Sequence, residues 1–299
     1  MATRIGDLGH GQRQTASLLA LQARLRESEL AAGSGRAASR WDQIADRAGT
    51  LLRLEDARAT TATLAAQGER FAQQIQIMDH ALGRIVEVAD RARTALVQRL
   101  DGGLGDQVPL DTLLDTLLPE VERALNSRHR GQYLFAGSRT DEAPVVLPAT
   151  PPTVADPSLY YRGDTVRLTV RADLDLELAY GVTADAAPFA RLIAGLGQAR
   201  AAHLSDDRAG LAAAMAEIES ALDGVVRLRA EVGLAAERLE ATYEGQRSAL
   251  LYLDELASGI RDADIAEVMT RIARDRVSLE AAYAVTGALA GLSLADYLR

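Results

Sequence analysis

The sequence predicts a mainly α protein, an elongated antiparallel helical bundle or coiled-coil rod formed by N- and C-terminal arms, with a small β-rich insert domain. Two proline-free arms, residues 1–108 and 189–299, flank a middle segment that holds all eight prolines. Apolar residues recur in both arms at alternating steps of four and three, the spacing of a coiled coil. Aromatic residues make up only 4% of the chain, so alanine and leucine supply most of the surface available for burial.

The C-terminal arm carries the longest heptad pattern, which is interrupted only by Arg229 and Gln246. Its members are Leu211, Met215, Ile218, Leu222, Val225, Val232, Ala236, Leu239, Tyr243, Leu250, Leu253, Ala257 and Ile260. A helix of about fifty residues is roughly 75 Å long, which exceeds the span of an ordinary globular core. Asp264 lies three residues before Glu267, the spacing of a capping box, so a new helix is expected to start there and to reach nearly to Arg299.

The N-terminal arm divides into two helical segments. An amphipathic stretch within residues 5–32 stops at Gly33-Ser34-Gly35, and a second run extends from about Trp41 to Leu100. Gly102-Gly103-Leu104-Gly105 ends that run. A shorter amphipathic helix follows over 110–129, where Pro119 is expected to force a kink or a break.

The pattern changes to period two between Gly131 and Pro188. Val166, Leu168 and Val170 alternate with polar residues, as do Leu174, Leu176, Leu178 and Tyr180. This alternation predicts two strands in a hairpin that turns near Ala172-Asp173. A short helix over 189–196 follows the last proline, and Ser205-Asp206-Asp207 offers the N-cap of the long C-terminal helix.

These elements predict three domains. Residues 1–40 with 261–299 form a terminal helical assembly domain, 41–130 with 189–260 form a helical rod, and 131–188 form the β-rich insert. A narrow apolar stripe needs a partner, because fixing each backbone residue costs about 1 to 2 kcal/mol. Within one chain, the outermost segments 1–32 and 265–299 have only each other. We therefore expect them to be marginal in a monomer and to be ordered by neighbouring copies.

The predicted assembly interface consists of apolar residues at heptad spacing in these outermost segments. They are Ile5, Leu8, Leu18, Leu21, Leu25, Ile265, Val268, Ile272, Leu279, Tyr283, Leu289 and Leu294.

Composition excludes several functional classes. The net charge of −9 disfavours a nucleic-acid partner, and the chain contains no cysteine, which excludes disulfides and thiolate chemistry. No stretch reaches the eighteen or more apolar residues that a membrane span requires, so no membrane insertion is expected. The four histidines are scattered without a metal-ligand spacing, and no catalytic constellation occurs, so we expect no enzyme activity, cofactor or metal.

Three stretches carry a resemblance to a known family. They are Gln132–Asp141, which contains Tyr133-Leu134-Phe135-Ala136-Gly137-Ser138, then Asp262-Ala263-Asp264-Ile265-Ala266-Glu267, and the ending Leu292–Leu298. With Val232–Glu240, these stretches resemble the flagellin superfamily, and most closely its hook-filament junction family, also called hook-associated protein 3. Family members carry two aspartates and a proline after the first Gly-Lys/Arg turn, whereas only Asp42 remains here.

The resemblance implies a structural adaptor that joins the hook of the bacterial flagellum to the filament. It implies export through the flagellar type III channel and assembly outside the cell. The expected partners are other copies in a ring, a second hook-associated junction protein, flagellin and an export chaperone. Two alternatives remain open at this point: a filament-forming flagellin, and an intracellular coiled-coil protein that acts in tethering or signalling.

Overall fold

The structure is a computed structural model that describes residues 2–37, 45–101 and 109–297, with burial and side-chain contacts for 12–37, 46–101 and 109–288. Six helices occur in the described ranges: α1 (Ala2–Ser34), α2 (Ala45–Leu100), α3 (Leu110–Leu125), α4 (Ala187–Leu204), α5 (Arg208–Arg261) and α6 (Ile265–Tyr297). The strands described are β1 (Arg128–His129), β2 (Gln132–Tyr133), β3 (Thr169–Asp173) and β4 (Leu176–Ala179). The mainly α class with a small β insert is confirmed, as are the long helical runs in both arms.

The chain divides into two compact units. The terminal unit comprises Met1–Thr61 with Ser248–Arg299, and the central unit comprises Ala62–Arg247. Helices α2 and α5 contribute residues to both units. The three-domain division expected from the sequence has other boundaries and stays a prediction.

The core of the central unit comes from the C-terminal part of α2, from α3 and α4, and from the N-terminal part of α5. The α2 heptad positions in this core are all buried, as their spacing predicts: Ile75, Met78, Leu82, Ile85, Ala89, Ala92 and Leu96. Residues of the β insert, including Phe135 and Tyr160, complete the same core. The insert and the helices therefore fold as one unit.

The two residues that interrupt the α5 heptad pattern connect α5 to other elements. The guanidinium of Arg229 donates to both carboxylate oxygens of Asp79 on α2, at 2.7 and 3.0 Å. These bonds lower the pKa of Asp79. The Gln246 side chain is buried, and its Nε2 donates to the carbonyl of Ala172 on β3 at 2.7 Å. The two polar positions in the α5 heptad pattern therefore connect α5 to α2 and to β3.

Of the kink or break expected at Pro119, the break does not occur, because helix α3 continues through this residue. Pro119 itself is exposed, whereas Leu114, Leu117 and Leu118 on the opposite side of the helix are buried. Burial of these leucines outweighs the one backbone hydrogen bond that proline removes. The helix ends at Leu125 rather than at His129.

The predicted hairpin exists, but it turns at Leu174-Asp175 rather than near Ala172-Asp173. Strands β3 and β4 are antiparallel, with a register shift between Arg171 and Asp173. Val170 and Ala172 are buried, whereas Val166, Leu174 and Leu176 are exposed. Val170 and Ala172 lie on the face that alternation predicts to be covered, whereas both faces are exposed at the tip of the hairpin.

Candidate assembly interface

The terminal unit pairs the first and last helices of the chain. Gly35 ends α1 in the left-handed conformation, with φ at 68°, and its amide donates to the carbonyl of Ala31. Immediately beyond it, Arg36 pairs with Asp262 as an antiparallel bridge. Ala37 N donates to Arg261 O at 2.8 Å, and Ala263 N donates to Gly35 O at 2.9 Å. The end of α1 is thereby fixed beside the start of α6.

Helix α6 begins with a capped first turn. One carboxylate oxygen of Asp264 accepts hydrogen bonds from the amides of Ala266 and Glu267, at 2.9 and 3.2 Å. The Glu267 carboxylate accepts from Arg271 one turn later, at 2.8 Å, so it does not complete a reciprocal capping box. Asp264 therefore satisfies two of the amide donors that would otherwise lack partners at this helix end.

We call the packed faces of these helices the α1–α6 seam. On α6 it contains the covered or half-covered residues Val268, Ile272, Asp275, Leu279, Ala282 and Thr286. On α1 it contains Gln14, Leu18, Leu21, Leu25, Ser28 and Ala32. Both sets follow alternating steps of four and three, which places each set on one face of its helix.

Polar side chains bridge the seam at three levels. Arg24 Nη2 donates to Asp275 Oδ1 at 2.8 Å, and Arg276 Nη2 donates to Glu29 Oε1 at 3.1 Å. Gln22 Nε2 donates to the hydroxyl of Tyr283. Gln22 thus lies beside Tyr283, whereas Gly35 lies beside Ala263, which makes the two helices antiparallel.

The seam divides the predicted interface residues into groups. Val268 and Ile272 are buried against their own chain, and Leu18, Leu21, Leu25 and Leu279 are half-buried there. Ile265 and Tyr283 are exposed. The side chains of Ile5, Leu8, Leu289 and Leu294 lie outside the described residues. An intersubunit role for this set stays a prediction, but Val268 and Ile272 already have an intrachain partner.

Sequence reasoning missed a second apolar surface on the same two helices, which we call the outer stripes. On α1 it contains Ala16, Leu19, Ala23 and Leu30, and on α6 it contains Ala266, Thr270, Ala273, Val277, Ala281 and Ala284. All of these residues are exposed, and Leu19, Leu30 and Val277 are each more than half exposed. The signal that was missed is a second set of apolar and small residues at helical spacing, on the face opposite the seam.

The first family-like stretch lies in the central unit, where it builds a packed corner. Tyr133, Leu134, Phe135 and Ala136 are buried, and Gly137 has a φ of 69°. The amide and hydroxyl of Ser138 donate to the carboxylate of Asp164. Together with the Val166 amide, these donors lower the pKa of Asp164. The Arg128 guanidinium also lies 4.0 Å above the Tyr133 ring. All of these contacts are made within the central unit, so this stretch has a packing role there.

The described residues also bear on membrane insertion and metal binding. No helix in the described part of the chain combines the length and the hydropathy that a membrane crossing requires. Within the same residues, no group of three or more histidine, aspartate or glutamate side chains is arranged to hold a metal ion. Residues 38–44, where only Asp42 remains of the family's two aspartates and proline, lie outside the described residues.

Comparison with protein families identifies the C-terminal arm. Residues 215–298 match the bacterial flagellin C-terminal helical region. This range contains Asp262, Asp264, Ile265 and Glu267, and the match confirms the resemblance to the flagellin superfamily that the sequence indicated. No curated protein sequence matches the chain.

Solved structures share the fold. A Vibrio parahaemolyticus protein assigned as a flagellar hook-associated protein superposes with a TM-score of 0.57 at 18% identity, covering 71% of this chain and 96% of that one. The flagellar junction protein FlgL from Legionella pneumophila gives 0.53 at 13%, covering 71% and 98%. FlgL from Bacillus cereus gives 0.52 at 17%, covering 64% and 96%. At these identities the likeness establishes a common fold.

Proposed function

We propose that this chain, which carries a flagellin C-terminal helical region, is a structural adaptor of the bacterial flagellum that joins the hook to the filament. The role is structural and not enzymatic. The observation that carries the proposal is the terminal unit, where paired helices from the two ends of the chain leave apolar outer stripes uncovered. The fold shared with hook-associated and junction proteins supports it.

In this proposal, assembly buries the apolar surface that α1 and α6 leave exposed in a single chain. Neighbouring copies in a ring bury the outer stripes, and the seam is strengthened as its helices become ordered. The residues predicted from sequence act in the seam and at its edge, with Val268 and Ile272 inside the seam and Ile265 and Tyr283 at its exposed margin. Residues 1–40 with 261–299 then form the assembly domain of the three-domain division.

The proposed partners are a second hook-associated junction protein on one side and flagellin on the other. Export through the flagellar type III channel, with a chaperone that keeps the terminal helices unpaired, brings the chain outside the cell. The chain contains no cysteine, so no disulfide opposes its passage in an unfolded form.

Gene deletion tests the proposed role. Cells that lack this chain should keep their hooks, lose their filaments and shed flagellin into the medium, which electron microscopy and analysis of the culture medium would detect. Complementation with the wild-type gene should restore filaments, whereas a Leu19→Asp, Leu30→Asp variant should not. The control variant Leu204→Asp changes a still more exposed leucine, which lies in the central unit, and should complement fully. Normal filaments in the deletion strain would refute the role.

A filament-forming flagellin is the second candidate, and the family of the C-terminal arm favours it. Purified chain added to filament seeds distinguishes the two. An adaptor should bind seeds without extending them, whereas a filament flagellin should lengthen them in proportion to the protein added. The third candidate, an intracellular tethering protein, predicts that the chain is found only in the cytoplasm of a filament-lacking strain.

A further inference from the structure

One charged side chain interrupts the apolar seam of the terminal unit. Asp275 occupies an inward position of α6 between Ile272 and Leu279, and its side chain is only 2% exposed. Its Oδ1 accepts from Arg24, whereas its Oδ2 is buried and has no hydrogen-bond partner among the described residues. The Arg24 side chain is 61% exposed. The pair therefore joins a buried anion to a cation at the solvent boundary.

Such a pair is a weak source of stability. A buried carboxylate loses its hydration, and one charge-assisted hydrogen bond to a single oxygen replaces only part of it. An apolar residue of similar size at position 275 would fill the same space without that cost. The other residues of the seam are uncharged, so the stripe offers Asp275 no second cation.

The position of Asp275 nevertheless distinguishes one alignment of the helices from the others. Moving α6 by one heptad in either direction would place Val268 or Ala282 opposite Arg24, and neither side chain accepts a hydrogen bond. The displaced Asp275 would then lie buried among leucines without a cation. Apart from Gln14, the remaining seam positions are apolar or small on both helices, so they discriminate poorly between these alignments. The backbone bonds between residues 35–37 and 261–263 favour the native alignment as well, but they act only at the helix ends.

We propose that Asp275, through Arg24, sets the register in which α1 and α6 pair, and that it does so at a cost in stability. It is a specificity-determining residue for the terminal helix pair. The inference goes beyond the proposed function, because it concerns the pairing within one chain whatever that chain assembles into. A deletion phenotype that refutes the adaptor role would leave it intact.

The experiment measures register and stability separately in the full-length chain. The chain has no cysteine, so Ala23→Cys and Ala273→Cys introduce two unique labelling sites on exposed faces of α1 and α6. Pulsed electron paramagnetic resonance between spin labels at these sites reports register, because a slip of one heptad moves the α6 label by about 10 Å along the axis. Amide exchange in the two helices reports stability.

The two members of the pair should respond with opposite signs. Asp275→Leu should leave exchange unchanged or slower but split the single label distance, lowering the ratio of native to slipped register about tenfold or more. Arg24→Met leaves the anion buried without a cation and should raise exchange rates about tenfold or more. The double variant should recover slow exchange while keeping the split distance. Asp275→Asn keeps an acceptor for Arg24 and should retain one distance.

The exposed pair between Glu29 and Arg276 gives the matched control. Glu29→Gln removes an ion pair from the same two helices, and it should change neither the label distance nor exchange beyond about twofold. A single unchanged distance in Asp275→Leu would overturn the proposal. Loss of protection in Asp275→Leu would also overturn it, because the pair would then act as an ordinary stabilising contact.

Discussion

The central and terminal units are built from the same kind of helix but differ in how completely they bury their apolar residues. Among the residues whose burial is described, the only buried apolar side chains in the terminal unit are Leu51, Ala257, Val268 and Ile272. All the others belong to the central unit, where α3, α4 and the β insert cover the long helices. A heptad pattern therefore predicts helices in both units. Only the unit that also has α3, α4 and the β insert buries most of its apolar side chains within one chain.

The largest expected effect comes from a substitution that creates a cavity in the core of the central unit. Phe135 is fully buried and packs edge-to-face on Phe189, with ring centroids 6.3 Å apart. Phe135→Ala should lower the free energy of unfolding of the central unit by about 3 to 5 kcal/mol, measured by chemical denaturation. Leu30→Ala, at an exposed position of α1, should change it by less than about 0.5 kcal/mol. Equal effects would remove the distinction between the units.

A smaller effect is expected from the corresponding change in the seam. Ile272→Ala should destabilise the pairing of α1 and α6 by about 2 kcal/mol, the lower end for such substitutions, because a narrow seam can collapse around the lost atoms. Amide exchange should accelerate in α1 and α6 and remain unchanged in α3 and α4. The control Val277→Ala on the outer stripe should leave both regions unchanged in the monomer. Acceleration throughout the chain would mean that the two units unfold together.

Loss of the N-terminal cap of α6 should destabilise the protein less than the Ile272→Ala substitution does. Asp264→Ala removes the acceptor of two backbone amides and should cost about 1 kcal/mol, with faster exchange in the first turn of α6. Asp264→Asn keeps a capping oxygen and should behave like the wild type. If Asp264→Asn weakened the helix as much as alanine, the negative charge rather than the hydrogen bonds would be the stabilising feature.

The smallest effect at neutral pH concerns Tyr243, which lies on α5 in the central unit. Its hydroxyl is buried without a hydrogen-bond partner among the described residues, so Tyr243→Phe should be nearly neutral there. Burial raises the pKa of Tyr243 to about 12. A raised folded pKa gives stability that is fully present below the unfolded value of about 10 and is lost as pH rises through the folded value.

Denaturation curves across the alkaline range check this prediction. The wild type should lose stability between about pH 10 and 12, and Tyr243→Phe should lose less of it. Tyr180, whose pKa burial also raises to about 12, should account for part of the loss that remains. A variant that is markedly destabilised near neutral pH would show that the hydroxyl has a partner after all.

The sequence predicted elements whose signal is local and repeated. The heptads of α2 and α5 fix long helices because every turn supplies the same information, and the glycine at position 35 marks the end of α1. The α4 prediction covered residues 189–196, whereas the helix spans Ala187–Leu204. Its second half is rich in alanine and therefore has weak apolar periodicity.

Features that depend on distant parts of the chain were less predictable. The hairpin turns two residues beyond the predicted position, next to a register shift that alternation does not reveal, and Pro119 is tolerated because leucines on the other side of α3 are buried. In the terminal unit, Tyr283 fits the heptad by spacing, yet the neighbouring Ala282 lies in the seam. The contact with Arg24 could have been predicted from the acidic residue at position 275, because a carboxylate within an apolar stripe requires a cation nearby.

The bridge between Arg36 and Asp262 joins positions more than two hundred residues apart. Closing so long a loop in an open chain costs about 5 kcal/mol of entropy. Once the intervening residues have folded, that cost has already been met, and the end of α1 lies beside the start of α6. We therefore expect α1 and α6 to pair last during folding, from the bridge outward, and to separate first during unfolding.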